Sequence, residues 1–106
     1  YISDAITGYF LCLTHGKYDY FNIGMDKPEI TVKAFAEVFM EAGMNIFDYK
    51  GDIHFKKSLD PDYMTDNPNR RCPSIEKAKK ILGFKPTVDV KDGVERYLKF
   101  LKSTLN

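Results

Sequence analysis

The sequence predicts a small α+β lobe with about four helices and two or three short strands. Three observations support this prediction. Apolar residues recur at helical spacing in four segments, short aromatic or β-branched runs lie between them, and glycines and prolines separate the segments. The strands are too few for an independent doubly wound sheet, so we expect the lobe to pack against another domain. At 106 residues, the chain is one domain or part of one.

The first helix is predicted to begin at Ser3 or Asp4, either of which can act as its N-cap, and to end at Gly16. After Gly16, residues 18–23 (Y-D-Y-F-N-I) form a short aromatic run bounded by glycines, which predicts a strand. The helix has one apolar face with i, i+3, i+4 and i+7 spacing, formed by Ile6, Tyr9, Phe10 and Leu13.

A second helix is predicted after Thr31, which is a candidate N-cap, with an end near Gly43. Residues 46–55 then carry a weak strand signal, strongest at the I-H-F run near the end of that range. The apolar face of this helix would be formed by Val32, Phe35, Ala36 and Phe39.

The third helix is predicted from Ser74, its candidate N-cap, to Leu82, and Gly83 is expected to end it in a left-handed conformation. The fourth helix is predicted to begin near Lys91 or Asp92. It carries a regular apolar stripe made of Val94, Tyr97, Leu98, Leu101 and Leu105.

Composition excludes several classes of function. The formal net charge of +1 is too balanced for a general nucleic-acid or membrane-surface binder. No apolar run approaches the length of a membrane span, and the first residues lack the pattern of a signal peptide, so we expect a cytoplasmic protein.

The cysteines, Cys12 and Cys72, belong to no metal-spaced cluster, and free thiols fit them better than a disulfide. The isolated His15 and His54 fit structural or solvated roles, and the carboxylates of residues 48–66 do not match a calcium loop.

Residues 67–73 (N-P-N-R-R-C-P) are the candidate binding loop. Prolines bracket Arg70 and Arg71, fix their own φ and disfavour helix on either side, so the loop is stiffened. A guanidinium can donate two parallel hydrogen bonds to a phosphate or carboxylate and stays charged. An arginine pair on a surface loop can also simply be solvated, and the residues alone leave both interpretations open.

Five segments together resemble a known family. They are Y-I-S-D-A-I-T-G at 1–8, Y-F-N-I-G at 20–24, E-I-T-V-K-A-F-A at 29–36, N-P-N-R-R-C-P-S-I-E-K-A-K-K-I-L-G-F-K-P at 67–86 and V-K-D-G-V-E-R-Y-L-K-F at 90–100. In this order, they resemble the C-terminal part of the extended short-chain dehydrogenases/reductases, which are NAD-dependent nucleotide-sugar epimerases, dehydratases and decarboxylases. The resemblance covers nearly the whole chain.

The resemblance implies that residues 1–106 are the nucleotide-sugar-binding lobe of a larger enzyme, packed on an N-terminal Rossmann domain that binds NAD. It implies that Arg71 reaches the diphosphate of the substrate, and that Arg70 either helps or is solvated. It allows for a homodimer of the full-length enzyme. The sequence departs from the family at Ser74, where Asp is frequent, and at Phe84, where Trp is usual.

The residues of the family that bind NAD and perform catalysis have no counterpart in this sequence. It contains neither a G-x-x-G-x-x-G phosphate-binding turn nor a Y-x-x-x-K pair. We therefore expect the isolated chain to be inactive, with no catalytic residue of its own and with NAD bound by the N-terminal domain. The alternative is a non-catalytic binding or assembly module with the same fold.

Overall fold

Four α-helices make up the regular structure of the residues that the computed structural model describes, which are 1–56, 58–59 and 70–105. The remaining described residues form turns and extended segments. In chain order, the helices are α1 (Ile2–Thr14), α2 (Val32–Phe47), α3 (Glu76–Leu82) and α4 (Val90–Thr104).

The predicted α+β class is wrong, because no strand is found among the described residues and this part of the chain is all-α. Residues 18–23 were expected to form a strand, but they remain without secondary structure. A strand is stable only when a neighbouring strand accepts and donates its backbone hydrogen bonds, and among the described residues the backbone bonds outside the helices are all local. The other predicted strand, at 46–55, is also absent, because Ile46 and Phe47 belong to α2 and residues 48–55 have no secondary structure.

Helix α1 buries a different face from the one its apolar spacing predicts. The predicted face is largely in solvent, with Ile6 46% exposed, Tyr9 64% and Leu13 76%. The face turned inward carries Asp4 and Gly8, which are both buried. Gly8 permits this close approach, because a Cβ atom there would lie 2.4 Å from Cγ2 of Ile23. The N-cap prediction is also wrong, since the cap position is Tyr1 and no side chain caps the helix.

Helices α2 and α4 pack against each other and run in the same direction. Glu41 of α2 pairs with Lys91 near the start of α4 at 2.9 Å. Lys102, near the end of α4, donates to the carbonyl of Ile46 at 2.5 Å. The predicted cap of α2 is confirmed, because the Thr31 hydroxyl accepts from the backbone N–H of the third helical residue at 3.0 Å.

The most deeply buried side chains surround α3. Ile75, Ala78 and Phe84 are almost fully buried, and part-buried side chains of α1, α3 and residues 21–23 pack on them. Helix α3 ends at Gly83, whose φ of 67° confirms the predicted left-handed cap. Ser74 does not cap the helix, which has Ile75 at its N-cap position with no side-chain hydrogen bond.

Asp4 connects α1 to the residues that lead into α4. Its carboxylate accepts from the backbone N–H of Val88 at 3.0 Å and from the N–H and hydroxyl of Thr87 at 3.1 and 3.0 Å. Burial acts to raise the pKa of the Asp4 carboxyl, but these hydrogen bonds outweigh burial and the pKa is lowered. The carboxylate is thus ionised at neutral pH and holds α1 to the residues that precede α4.

Candidate functional site

Residues 70–73 of the predicted binding loop lie against an earlier part of the chain, whereas its residues 67–69 lie outside the described residues. We call residues 70–74 the arginine loop and residues 22–29 the facing segment. The two run antiparallel, since residue numbers rise along one as they fall along the other. Four neighbouring pairs define this arrangement: Asn22 with Ser74, Gly24 with Pro73, Asp26 with Cys72, and Glu29 with Arg70.

Arg70 is held by Glu29 in a two-pronged ion pair. Nε and an Nη atom of the guanidinium each donate to a different carboxylate oxygen, both at 2.7 Å. This hydrogen bonding lowers the pKa of Glu29 and raises the pKa of Arg70. The pair is near the surface, with the Arg70 side chain 72% exposed and Glu29 41% exposed. Arg70, predicted as a helper in substrate binding, therefore has its guanidinium on a carboxylate of this chain.

Arg71 is exposed and lies between two anchored neighbours. Arg70 contacts Glu29, and the Cys72 thiol donates to the backbone carbonyl of Asp26 at 3.5 Å. Residues 70 and 72 both contact the facing segment, so the chain is attached on both sides of Arg71. The role of Arg71 toward a diphosphate stays a prediction.

Two lysines of α3 anchor the same region. Lys79 pairs with Asp26 at 2.6 Å, and this hydrogen bond raises the pKa of Lys79 and lowers the pKa of Asp26. Lys77 pairs with Asp19 at 2.5 Å, which lowers the pKa of Asp19, and also lies 4.1 Å from the ring centre of Tyr20. The arginine loop is therefore followed directly by a helix that is fixed to residues 19–26.

An apolar cavity of about 680 Å³ borders the facing segment. It is formed between the N-terminus, α2 and α4, and Met25 of the facing segment contributes to its wall. Because Asp26, the next residue, contacts the arginine loop, one short stretch of chain borders both features. Five of the other lining residues are aromatic: Tyr1, Phe35, Phe39, Tyr97 and Phe100.

The other candidate residues form no second site. Within residues 1–56, 58–59 and 70–105, no three His, Cys, Asp or Glu side chains come together as a metal site would require. The predicted free thiols are confirmed at Cys12 and Cys72. His15 packs edge-on against Phe21, with ring centres 5.4 Å apart. The aspartates of residues 60–66, which were considered above for a calcium loop, lie outside the described residues. None of the helices in the described part is long and apolar enough to cross a membrane.

Sequence reasoning found the arginine loop but missed the acids that hold it. Glu29, Asp26 and Asp19 were not singled out, because each lies more than 40 residues before its partner. The sequence offered one signal for these acids. Glu29 is the first residue of the E-I-T-V segment, which follows residues 20–24, and both segments belong to the ordered set of motifs.

An anchored arginine loop followed by a short helix that ends at Gly83, in this order of segments, fits the C-terminal part of nucleotide-sugar enzymes of the extended short-chain dehydrogenase/reductase type. Comparison with curated proteins confirms this resemblance. The chain is homologous to a partial, C-terminal-like region of UDP-glucuronic acid decarboxylases.

UDP-glucuronic acid decarboxylase 1 of Arabidopsis thaliana is 30% identical over 96 residues, which are 91% of this chain and 20% of the relative. UDP-glucuronic acid decarboxylase 2 of Arabidopsis thaliana is 28% identical over 99 residues, which are 93% of this chain and 20% of the relative. UDP-glucuronic acid decarboxylase 1 of Xenopus tropicalis is 26% identical over 105 residues, which are 99% of this chain and 23% of the relative. The chain thus spans about a fifth of the length of these relatives. No family model and no solved structure matches the chain.

Proposed function

We propose that this chain binds the diphosphate of a nucleotide sugar for an NAD-dependent decarboxylase, epimerase or dehydratase. The observation that carries the proposal is the anchored arginine loop, which presents Arg71 between two fixed neighbours in a chain related to UDP-glucuronic acid decarboxylases. The names of those relatives favour a UDP-sugar and a decarboxylation.

Arg71 is the residue that we propose to bind the diphosphate. A guanidinium can donate two parallel hydrogen bonds to phosphate oxygens, and a bond to an ionised group is about twice as strong as a neutral one. The contribution of Arg71 to affinity depends on its being held in place, because a side chain with many conformations loses conformational entropy when the ligand binds. Contacts at residues 70 and 72 reduce that loss by fixing the backbone on both sides of Arg71.

We propose that NAD and the reacting groups are supplied by a Rossmann domain outside these residues. The residues present do not fit NAD, because the sequence contains no glycine-rich phosphate-binding turn. The exposed apolar residues of α1 and the apolar cavity offer surfaces on which such a domain could pack. This chain would then contribute binding and orientation of the substrate, with hydride transfer supplied by NAD in the adjoining domain.

The test is calorimetric titration of UDP and of uridine into the full-length protein that contains this chain. Arg71→Ala should weaken UDP binding about 10- to 100-fold, the loss expected for a hydrogen bond to a charged group. Uridine lacks the diphosphate, so its affinity should not change. Arg96→Ala is the matched control, because Arg96 is an exposed arginine of α4 that pairs with Asp92.

Equal UDP affinity in the wild type and Arg71→Ala would refute the proposed role of Arg71. Tight UDP binding without any turnover of UDP-sugars in the presence of NAD would instead favour the non-catalytic binding module. Turnover of UDP-glucuronic acid with release of carbon dioxide would support a decarboxylase over an epimerase or dehydratase.

A further inference from the structure

We infer that Glu29 is a positioning residue for the arginine loop, and that it acts through Arg70 to hold Arg71 where a diphosphate can bind. This inference rests on the proposed function of Arg71. It reassigns Arg70 from a ligand of the substrate to a structural link between the loop and the facing segment.

The first argument is the geometry of the ion pair. A single hydrogen bond leaves a guanidinium free to rotate about the donor, whereas two parallel bonds to the two oxygens of one carboxylate fix both its distance and its plane. Glu29 and Arg70 make two such bonds at 2.7 Å across 41 residues of sequence. The pair therefore constrains the start of the described loop against the facing segment.

The second argument is the position of the pair relative to Arg71. Cys72 contacts the backbone of Asp26 on the far side of Arg71, so the loop is attached both before and after the proposed ligand. Releasing the Glu29 contact would remove the attachment at residue 70, while the contact at residue 72 would remain. A displacement of about 1 Å can lower the effectiveness of a positioned group considerably.

The third argument concerns charge. Glu29 would repel a diphosphate if its carboxylate were unpaired, and the paired Arg70 offsets that charge. The hydrogen bond from Arg70 lowers the pKa of Glu29, so the pair remains ionised at neutral pH. Arg71 is then the side chain of the loop whose positive charge is proposed to meet the ligand.

A competing assignment makes the opposite prediction. If Arg70 were itself a phosphate ligand that Glu29 holds back, removing the Glu29 carboxylate would release Arg70 and tighten UDP binding. The positioning role predicts weaker binding from the same substitution. The direction of the change therefore separates the two assignments.

The experiment is a double-mutant cycle in the full-length protein, with UDP as the probe. Glu29→Gln and Arg70→Gln should each raise the Kd for UDP about two- to fivefold, the range expected for an exposed pair. The double variant should be no weaker than either single variant, because both substitutions break one link. Uridine affinity and the melting temperature should stay close to those of the wild type.

Two further variants make the cycle decisive. Glu41→Gln breaks a similarly exposed ion pair between α2 and α4 and should leave UDP affinity unchanged. Exchanging the charges with Glu29→Arg and Arg70→Glu should restore affinity toward the wild type, since the link is rebuilt in reverse. If Glu29 acted only on the stability of the fold, Glu29→Gln would lower the melting temperature together with the affinity for UDP.

Unchanged or tighter UDP binding in Glu29→Gln would overturn the inference, as would additive losses in the double variant. Arg71→Ala distinguishes this failure from that of the proposed function. If Arg71→Ala weakens UDP binding while Glu29→Gln does not, only the positioning role of Glu29 fails. If Arg71→Ala also has no effect, the proposed function fails.

Discussion

Asp4 offers the sharpest test of what stabilises this fold. Its carboxylate accepts three hydrogen bonds from Thr87 and Val88, and Val88 is buried. Removing a bond to a charged acceptor costs about 1.5–3 kcal/mol when the donor is left buried. Thr87 is exposed, so water can replace part of its two bonds.

From these contributions, Asp4→Ala should lower the free energy of unfolding by about 3 kcal/mol. Asp4→Asn keeps the shape and one acceptor oxygen but loses the charge, so its loss should be smaller, about 2 kcal/mol. Urea denaturation followed by circular dichroism measures both values. Asp52→Asn, the same substitution at an exposed position, is the control and should change stability by less than about 0.5 kcal/mol.

The contribution of Asp4 should also depend on pH with a definite sign. The pKa of Asp4 is lowered by folding, so the unfolded chain takes up its proton first as the pH falls. The stabilisation is complete above the unfolded pKa of about 4 and is lost as the pH falls through the lower folded value. The gap between the wild type and Asp4→Asn should therefore narrow below about pH 4. A gap that stays constant from neutral pH into strong acid would refute this account.

Two other substitutions test the caps and the core. Thr31→Ala removes the side-chain cap of α2 and should lower the free energy of unfolding in urea by about 1 kcal/mol. A stability equal to the wild type would show that the cap bond contributes nothing. Phe84→Ala should lower the free energy of unfolding by about 3–5 kcal/mol, because it empties an almost fully buried site. A loss as small as that of Phe55→Ala, at an exposed position, would contradict the assigned core.

Features of the fold that depend on neighbouring residues were predictable from the sequence. Thr31 caps α2 and Gly83 ends α3 as expected, because each acts on backbone groups within a few residues of itself. The predicted end of α2 at Gly43 was wrong by one turn, since α2 continues to Phe47 and Asp48 adopts the left-handed conformation there with φ 53°. A glycine inside a helix lowers its stability but does not have to end it.

Features that depend on distant residues could not be predicted in the same way. The apolar spacing of α1 indicates which face is hydrophobic, but the face that packs is chosen by Gly8, which lets Ile23 approach. The aromatic run at 18–23 has the composition of a strand but no backbone partner among the described residues. Tertiary contacts therefore overrode local preference in both cases.

The candidate site shows the same division. The prolines and the arginine pair identified the loop, because those properties belong to adjacent residues. The partner of Arg70 could not be derived, since Glu29 is one of many acids in the sequence and only the folded chain selects it. For this reason, the sequence alone could not place Arg70, whereas the structure shows its guanidinium on the carboxylate of Glu29.

The bond between Asp4 and Val88 has a consequence for how the chain folds. It joins residues that are 84 positions apart, so closing this span costs about 4 kcal/mol of chain entropy if nothing between them is ordered beforehand. Ordering the helices in between shortens the effective span and lowers that cost. We therefore expect the bond to form after the folding transition state, with a φ-value near zero at Asp4, and to act on the rate of unfolding more than on the rate of folding.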